Sequence, residues 1–288
     1  MTLSVNSDLD DSTALDYCIN KAIPDGSNLY YATVFETPKN KKIIISFHAF
    51  LYELSDIIYE CSDPGVARIK LKWWQEEIVR LFNKQARHPV TKQMQECINL
   101  NSDLQSSFGS VIDFFNHFIF IEQPDSLDTI LSLYKSTSGE VWYQCGQQLN
   151  CDKTDSLDIL REMGAVINFI NCLQQTNTYI NETRCIIPSH YAAHTQLLNL
   201  RADTVKKHSA QQDIFSPLLI DLKTRLDETY KKLSTKDNAT LRHGLILNRL
   251  TYETCDEILG DGCNLLDRNI SLTPLRKLWI AWRTRYFY

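Results

Sequence analysis

Glu53, Asp56 and Glu60 fall on one stripe of a helical stretch running from Pro38 to Glu60. Side chains three or four residues apart share a helix face. Asp56 and Glu60 can therefore offer carboxylate oxygens to one divalent cation, the kind of ligand that Mg²⁺ takes. A solvated acidic face fits the same spacing. His48, Tyr52, Ser55 and Tyr59, spaced by four, three and four, make a second stripe a quarter turn or more away. A later stretch, Gly164 to Tyr179, carries Asn168, Asn171, Gln175 and Tyr179 on an otherwise apolar helix. Its amides are dipoles without charge, poor partners for a hard cation.

The elements that must position these residues are helices. Asp63-Pro64 predicts a helix start, because Asp63 can cap orphan amides and Pro64 suits the first turn. The helix that follows, to about Phe82, sets Val66, Ile69, Trp73, Ile78 and Leu81 against Arg68, Lys70, Lys72, Glu76 and Glu77. Helical periodicity predicts further helices over 125–149, 155–180, 209–233 and 238–259. No run alternates apolar and polar residues long enough for a sheet, and 9 Gly and 8 Pro are too few for a many-stranded sandwich. With 43% apolar residues, the material suffices for one large core. The expectation is one all-α domain over residues 1–288, with 1–24 as an N-terminal extension.

Composition excludes several roles. A net charge of −5 gives no broad attraction for nucleic acid. The 9 Cys contain no Cys-x-x-Cys, which predicts buried thiols in a reducing compartment. The acidic N-terminus lacks the basic start and apolar run of a signal peptide. Ile43 to Tyr52 is too short to span a bilayer. A cytoplasmic protein is the expectation, peripheral to a membrane if at all. There is no Gly-x-Ser-x-Gly elbow, His-Glu-x-x-His or phosphate loop. His190 and His194 lack a third ligand and read as surface or capping histidines. The basic, aromatic segment Pro274 to Tyr288 suits either a membrane surface or the core, and core packing is the expectation.

Several segments carry a family likeness: Ser27-Asn28-Leu29-Tyr30-Tyr31, His48-Ala49-Phe50, Ser55-Asp56-Ile57-Ile58-Tyr59-Glu60, Ser62-Asp63-Pro64-Gly65-Val66-Ala67-Arg68 and Trp73-Trp74-Gln75-Glu76-Glu77. They resemble the squalene/phytoene synthases, clearly over 27–77 and more weakly over 134–190. The resemblance implies an isoprenoid-synthase helical bundle around a central cavity. It also implies head-to-head joining of two isoprenoid diphosphates, with Asp-x-x-x-Asp motifs on facing helices holding Mg²⁺. Here Ser55 and Tyr59 stand where the first pair of Asp belongs, and Tyr52 replaces an Arg. On the second helix Asn171 is kept, Gln174 replaces Arg, Gln175 replaces Asp, and Tyr179 takes the place of the last Asp. Arg184 and Pro188 match the segment that follows, while Ile186 replaces its Tyr. Ser138-Gly139-Glu140-Val141-Trp142 puts an indole where the family has a small Gly beside the prenyl chain.

These departures imply a chain that keeps the fold and has lost condensation, because neutral groups cannot balance cations beside a diphosphate. No cofactor is then expected. The cavity stripe (His48, Tyr52, Ser55, Tyr59, Asn168, Asn171, Gln175 and Tyr179) would serve binding of an isoprenoid or lipid, or assembly of a protein complex. A family member that assists assembly of mitochondrial complex I likewise lacks intact motifs. The alternative is an active Mg²⁺-dependent prenyltransferase with displaced ligands, using Glu53, Asp56 and Glu60 with Arg68 and Arg184, the metal on Asp56 and Glu60.

Overall fold

Two capping side chains set where the long helices begin. Thr37 Oγ1 accepts from the Asn40 amide at 3.2 Å and Pro38 fills the first helical position. Asp63 Oδ1 accepts from the Gly65 and Val66 amides at 2.6 and 3.1 Å, ahead of Pro64. The computed structural model describes residues 5–61, 63–175, 185–202, 207–236 and 239–287. Its first half runs α1 (Val5–Ala22), α2 (Asn28–Thr33), α3 (Pro38–Glu60), α4 (Pro64–Phe82), α5 (Pro89–Cys97) and α6 (Ser102–Ile119). The second half runs α7 (Leu127–Tyr134), a π-helical turn (Lys135–Gly139), α8 (Glu140–Gln148), α9 (Thr154–Leu173), α10 (His194–Ala202), α11 (Lys207–Lys236), α12 (Arg242–Gly260) and α13 (Pro274–Phe287). No strand occurs among the described residues, so the fold is all-α.

The helix expected over 125–149 is split by the π turn, which places Thr137, Ser138 and Gly139 inside. Such turns add a residue to the helical spiral and redirect the side chains that follow. The helix expected over 155–180 is described through Leu173, and Tyr179 and Arg184 lie outside the described residues. The segment read as an N-terminal extension contains α1, which packs against α3 and α5.

α3 and α9 face each other across the middle of the bundle. α8 and the π turn pack on α9, α8 and α6 pack on α3, and α6 also meets the π turn. Phe47 and Phe50 of α3 hold Phe108 of α6, with the Phe50 and Phe108 rings 4.8 Å apart. On the outer side of α3, Glu77 is a buried carboxylate that pins the start of α5 to α4. It accepts from the Arg87 and His88 amides at 2.7 and 2.9 Å, the Thr91 hydroxyl at 2.5 Å and Arg80 Nε at 2.7 Å. Oε1 accepts three of these and Oε2 the fourth, so both oxygens are hydrogen-bonded, as a buried carboxylate requires.

α13 corrects the expectation of core packing. Ala281, Thr284 and, against its chemistry, Lys277 turn inward. Leu275, Trp279 and Tyr286 turn outward, 81%, 58% and 59% exposed, joined by Leu278 and Trp282. Trp279 and Trp282 stack at 5.1 Å. None of the described helices is long and apolar enough to cross a bilayer.

Candidate functional site

The facing stripes of α3 and α9 enclose a central pocket of about 260 Å³. Tyr52, Ser55, Asp56 and Tyr59 line it from α3, and Asn168, Asn171 and Cys172 from α9, with Gln175 just past that helix. Tyr134, Thr137 and Ser138 close a third side from α7 and the π turn, and Phe115 and Phe118 supply an apolar wall from α6.

Groups at the expected metal-binding positions are spent on other partners. Ser55 Oγ donates to Leu51 O of its own helix at 2.8 Å. The Tyr59 hydroxyl lies 3.8 Å from Cys172 Sγ, across the cleft on α9. Tyr134 donates to the same sulfur at 2.8 Å. Asn168 Nδ2 donates to Gly164 O at 2.8 Å. Burial, then the neighbouring Asp56 charge, pushes the Tyr52 hydroxyl up to about 12, so it stays a neutral donor.

Asp56 is the one carboxylate among the described lining residues, and it is already paired. Lys21, from the end of α1, forms a close ion pair with Asp56 and a second with Glu53 at 3.3 Å. Burial works against the Lys21 charge, but the hydrogen bonds and charges of Asp56 and Glu53 outweigh it and raise its pKa. Glu53 also accepts from the Tyr17 hydroxyl at 2.5 Å.

The acidic stripe mostly faces elsewhere. Each residue advances a helix by about 100°, so Asp56 and Glu60 sit a quarter turn beyond Ser55 and Tyr59. Glu53, Asp56 and Glu60 line a second cavity of about 310 Å³ on the outer side of α3, with Lys70, Trp73, Trp74 and His88. Of the three carboxylates Asp56 alone borders both spaces, together with its partner Lys21. Arg68 joins neither, and its guanidinium lies over the Phe120 ring at 4.4 Å.

This donor set does not fit Mg²⁺. Among the described residues no group of three or more His, Cys, Asp or Glu could hold a metal ion. Asp56 is neutralised by an ammonium, and α9 faces it with amides and a thiol but no carboxylate. His190 is exposed, and the His194 backbone amide donates to Gln123 Oε1 at 3.0 Å.

His48 corrects the stripe. It lies below the pocket, 4% exposed, with its ring 5.3 Å from Trp142. The Trp142 indole fills this layer. A Cβ built on Gly164 would meet its Cγ at 2.5 Å, and one on Gly244 would meet its Cζ3 at 3.7 Å. His243 flanks the indole from α12, with ring centroids 6.4 Å apart. His48 Nδ1, His243 Nδ1 and Trp142 Nε1 are buried without hydrogen-bond partners. Burial drives His243 down to about 4, and burial plus the His243 charge drives His48 to about 3, so both imidazoles are neutral.

An all-α bundle with paired helices facing across a polar cleft, here stripped of opposed carboxylates, defines the class: an isoprenoid-synthase fold. The model of the squalene/phytoene synthase family matches residues 24–276, and the chain belongs to that family. Among solved structures it is similar to a dehydrosqualene synthase in complex with ligand, at 11% identity and a TM-score of 0.74, covering 97% of this chain and 98% of that one. It is also similar to squalene synthase HpnC from Alicyclobacillus acidocaldarius, at 15% identity and 0.68, covering 89% and 97%. No curated protein matches the sequence.

Proposed function

We propose that this chain has given up head-to-head condensation and acts as a binding or assembly factor at a membrane surface. The observation that carries the reading is the pairing of Lys21 with Asp56 opposite an α9 that lines the pocket with amides and a thiol but no carboxylate. Ionising an allylic diphosphate depends on divalent cations that stabilise the departing pyrophosphate. A tethered ammonium brings one charge and already spends it on Asp56. Size points the same way. A cavity of 150 Å³ holds one benzene ring, so about 260 Å³ has room for about ten carbons, roughly a third of two farnesyl chains. The indole at Trp142 blocks the way deeper. The outward aromatic stripe of α13, with Arg283 beside it, supports peripheral membrane contact, since Trp and Tyr favour the interface and Arg the lipid phosphates.

Turnover of radiolabelled farnesyl and geranylgeranyl diphosphate by the purified chain, with Mg²⁺ and with EDTA, tests this. The expected result is no condensation product under either condition. A Mg²⁺-dependent product that disappears in Asp56→Ala would establish a divergent synthase and end the proposal.

A further inference from the structure

Lys277 is a charged side chain on the wrong side of its helix. It is 6% exposed, while Trp279 two residues on is 58% exposed. Its ammonium has three donors. One reaches Gly26 O at 2.8 Å, and no carboxylate of the described residues pairs with it. Leaving an ammonium buried without an opposite charge is costly. Desolvation lowers its pKa accordingly.

The amine borders a third cavity, of about 330 Å³, between α2, α9, α12 and the strand-free segment before α13. Leu29, Ile167, Leu247 and Ile270 give it apolar walls. The Thr251 hydroxyl, on the same lining, makes no hydrogen bond among the described residues. Asn28 Oδ1 is buried without a partner, and a half-turn of that amide exchanges acceptor for donor. Tyr52, Asn171 and Gln175 separate this cavity from the central pocket and line both. One ammonium, uncommitted hydroxyl and amide groups and aliphatic walls describe a site for an amphiphile with a single negative charge. One cation balances one anion, whereas a diphosphate carries several charges and needs more than this pocket supplies.

We infer that the cavity beside Lys277 binds the carboxylate of a small aliphatic or isoprenoid monocarboxylate, its tail lying against Leu29, Ile167, Leu247 and Ile270. By the benzene scale, about 330 Å³ accommodates a tail of roughly ten carbons with its head group. The inference rests on the binding-protein reading in one respect, that no metal shares the site.

Calorimetric titration of the full chain with decanoate, decanol, inorganic phosphate and farnesyl diphosphate, the last with Mg²⁺ and with EDTA, tests it. Decanoate should bind at least tenfold tighter than decanol or phosphate, and Lys277→Met should weaken decanoate at least tenfold while leaving decanol unchanged. Decanoate should also shield Lys277 of the unaltered chain from reductive methylation, read by mass spectrometry, which covers a variant that fails to fold. Equal binding of decanol, tighter binding of phosphate, no binding of decanoate, or full affinity in Lys277→Met would each overturn the site. Mg²⁺-dependent binding of farnesyl diphosphate would overturn the reading of the central pocket, and the decanoate comparison would still decide this one.

Discussion

Trp142 and Gly164 should behave as one unit, and a double-mutant cycle can measure how strongly. An aromatic side chain buries roughly 150–250 Å², which at about 25 cal/mol/Å² corresponds to roughly 4–6 kcal/mol of transfer free energy. Trp142 is 2% exposed, so Trp142→Ala should forfeit most of that, about 4 kcal/mol after the better helix propensity of Ala. Gly164→Ala alone drives a methyl to 2.5 Å from the indole Cγ, and such overpacking costs about 1–3 kcal/mol. In the Trp142→Ala background the contacts with Cγ and Cδ2 are gone, while the one with Cβ at 2.9 Å remains. The same change should come out near neutral there, a helix-propensity gain of about 1 kcal/mol offsetting the residual crowding. The coupling is then roughly 1–3 kcal/mol, the size expected for a pair in contact. Urea unfolding of the four proteins, at constant slope, supplies each value. If Gly164→Ala costs the same in both backgrounds, the indole does not occupy this space and the closed floor of the pocket is wrong.

Two further outcomes are expected. His48 and His243 are held neutral at about 3 and 4 against an ordinary value of 6.5. The unfolded chain therefore takes up their protons first as pH falls. Stability is intact above pH 6.5 and should decline below it by up to about 1.4 kcal/mol per pH unit for each histidine until the folded-state values are reached. Unfolding midpoints between pH 7 and 4.5 should fall less steeply in His48→Phe/His243→Phe, and an equal slope would remove these histidines from the account. Separately, Trp279→Ser/Trp282→Ser should reduce co-flotation with phosphatidylserine-containing vesicles at least tenfold without lowering the melting temperature, because both rings already face outward. Unchanged flotation would show that α13 is not the contact.

How far the sequence could be read varied from element to element. The starts of α3 and α4 were legible because capping is local: Thr37 or Asp63 and the proline after each act within one turn. The stripe of Tyr52, Ser55 and Tyr59 was legible for the same reason, since helical spacing alone puts them on one face. His48 was not separable from them by spacing. It shares their face but lies a full turn deeper, where a residue nearly a hundred positions away fills the space. Lys21 could not be anticipated, because its pairing with Asp56 depends on how α1 docks. The π turn left no spacing signature, since its residues, Lys-Ser-Thr-Ser-Gly, carry no apolar periodicity for an extra residue to shift. α13 misled because its buried positions, 277, 281 and 284, carry Lys, Ala and Thr, while its larger apolar groups face out.

The contacts of α13 also fix an order of events. Lys277 donates to Gly26 O and Arg285 Nη1 to Phe35 O, pairs separated by 251 and 250 residues. A ribosome adding about 5–20 residues per second needs roughly 12–50 s to cover that distance. For all of that time the carbonyls around α2 lack these donors and the adjoining apolar walls lie open, although α1, α3 and α5 have already emerged. The rim of the third cavity is thus sealed late in synthesis. A chain stalled before α13 would expose its most lipid-like surface to chaperones and proteases while its first helices were already paired.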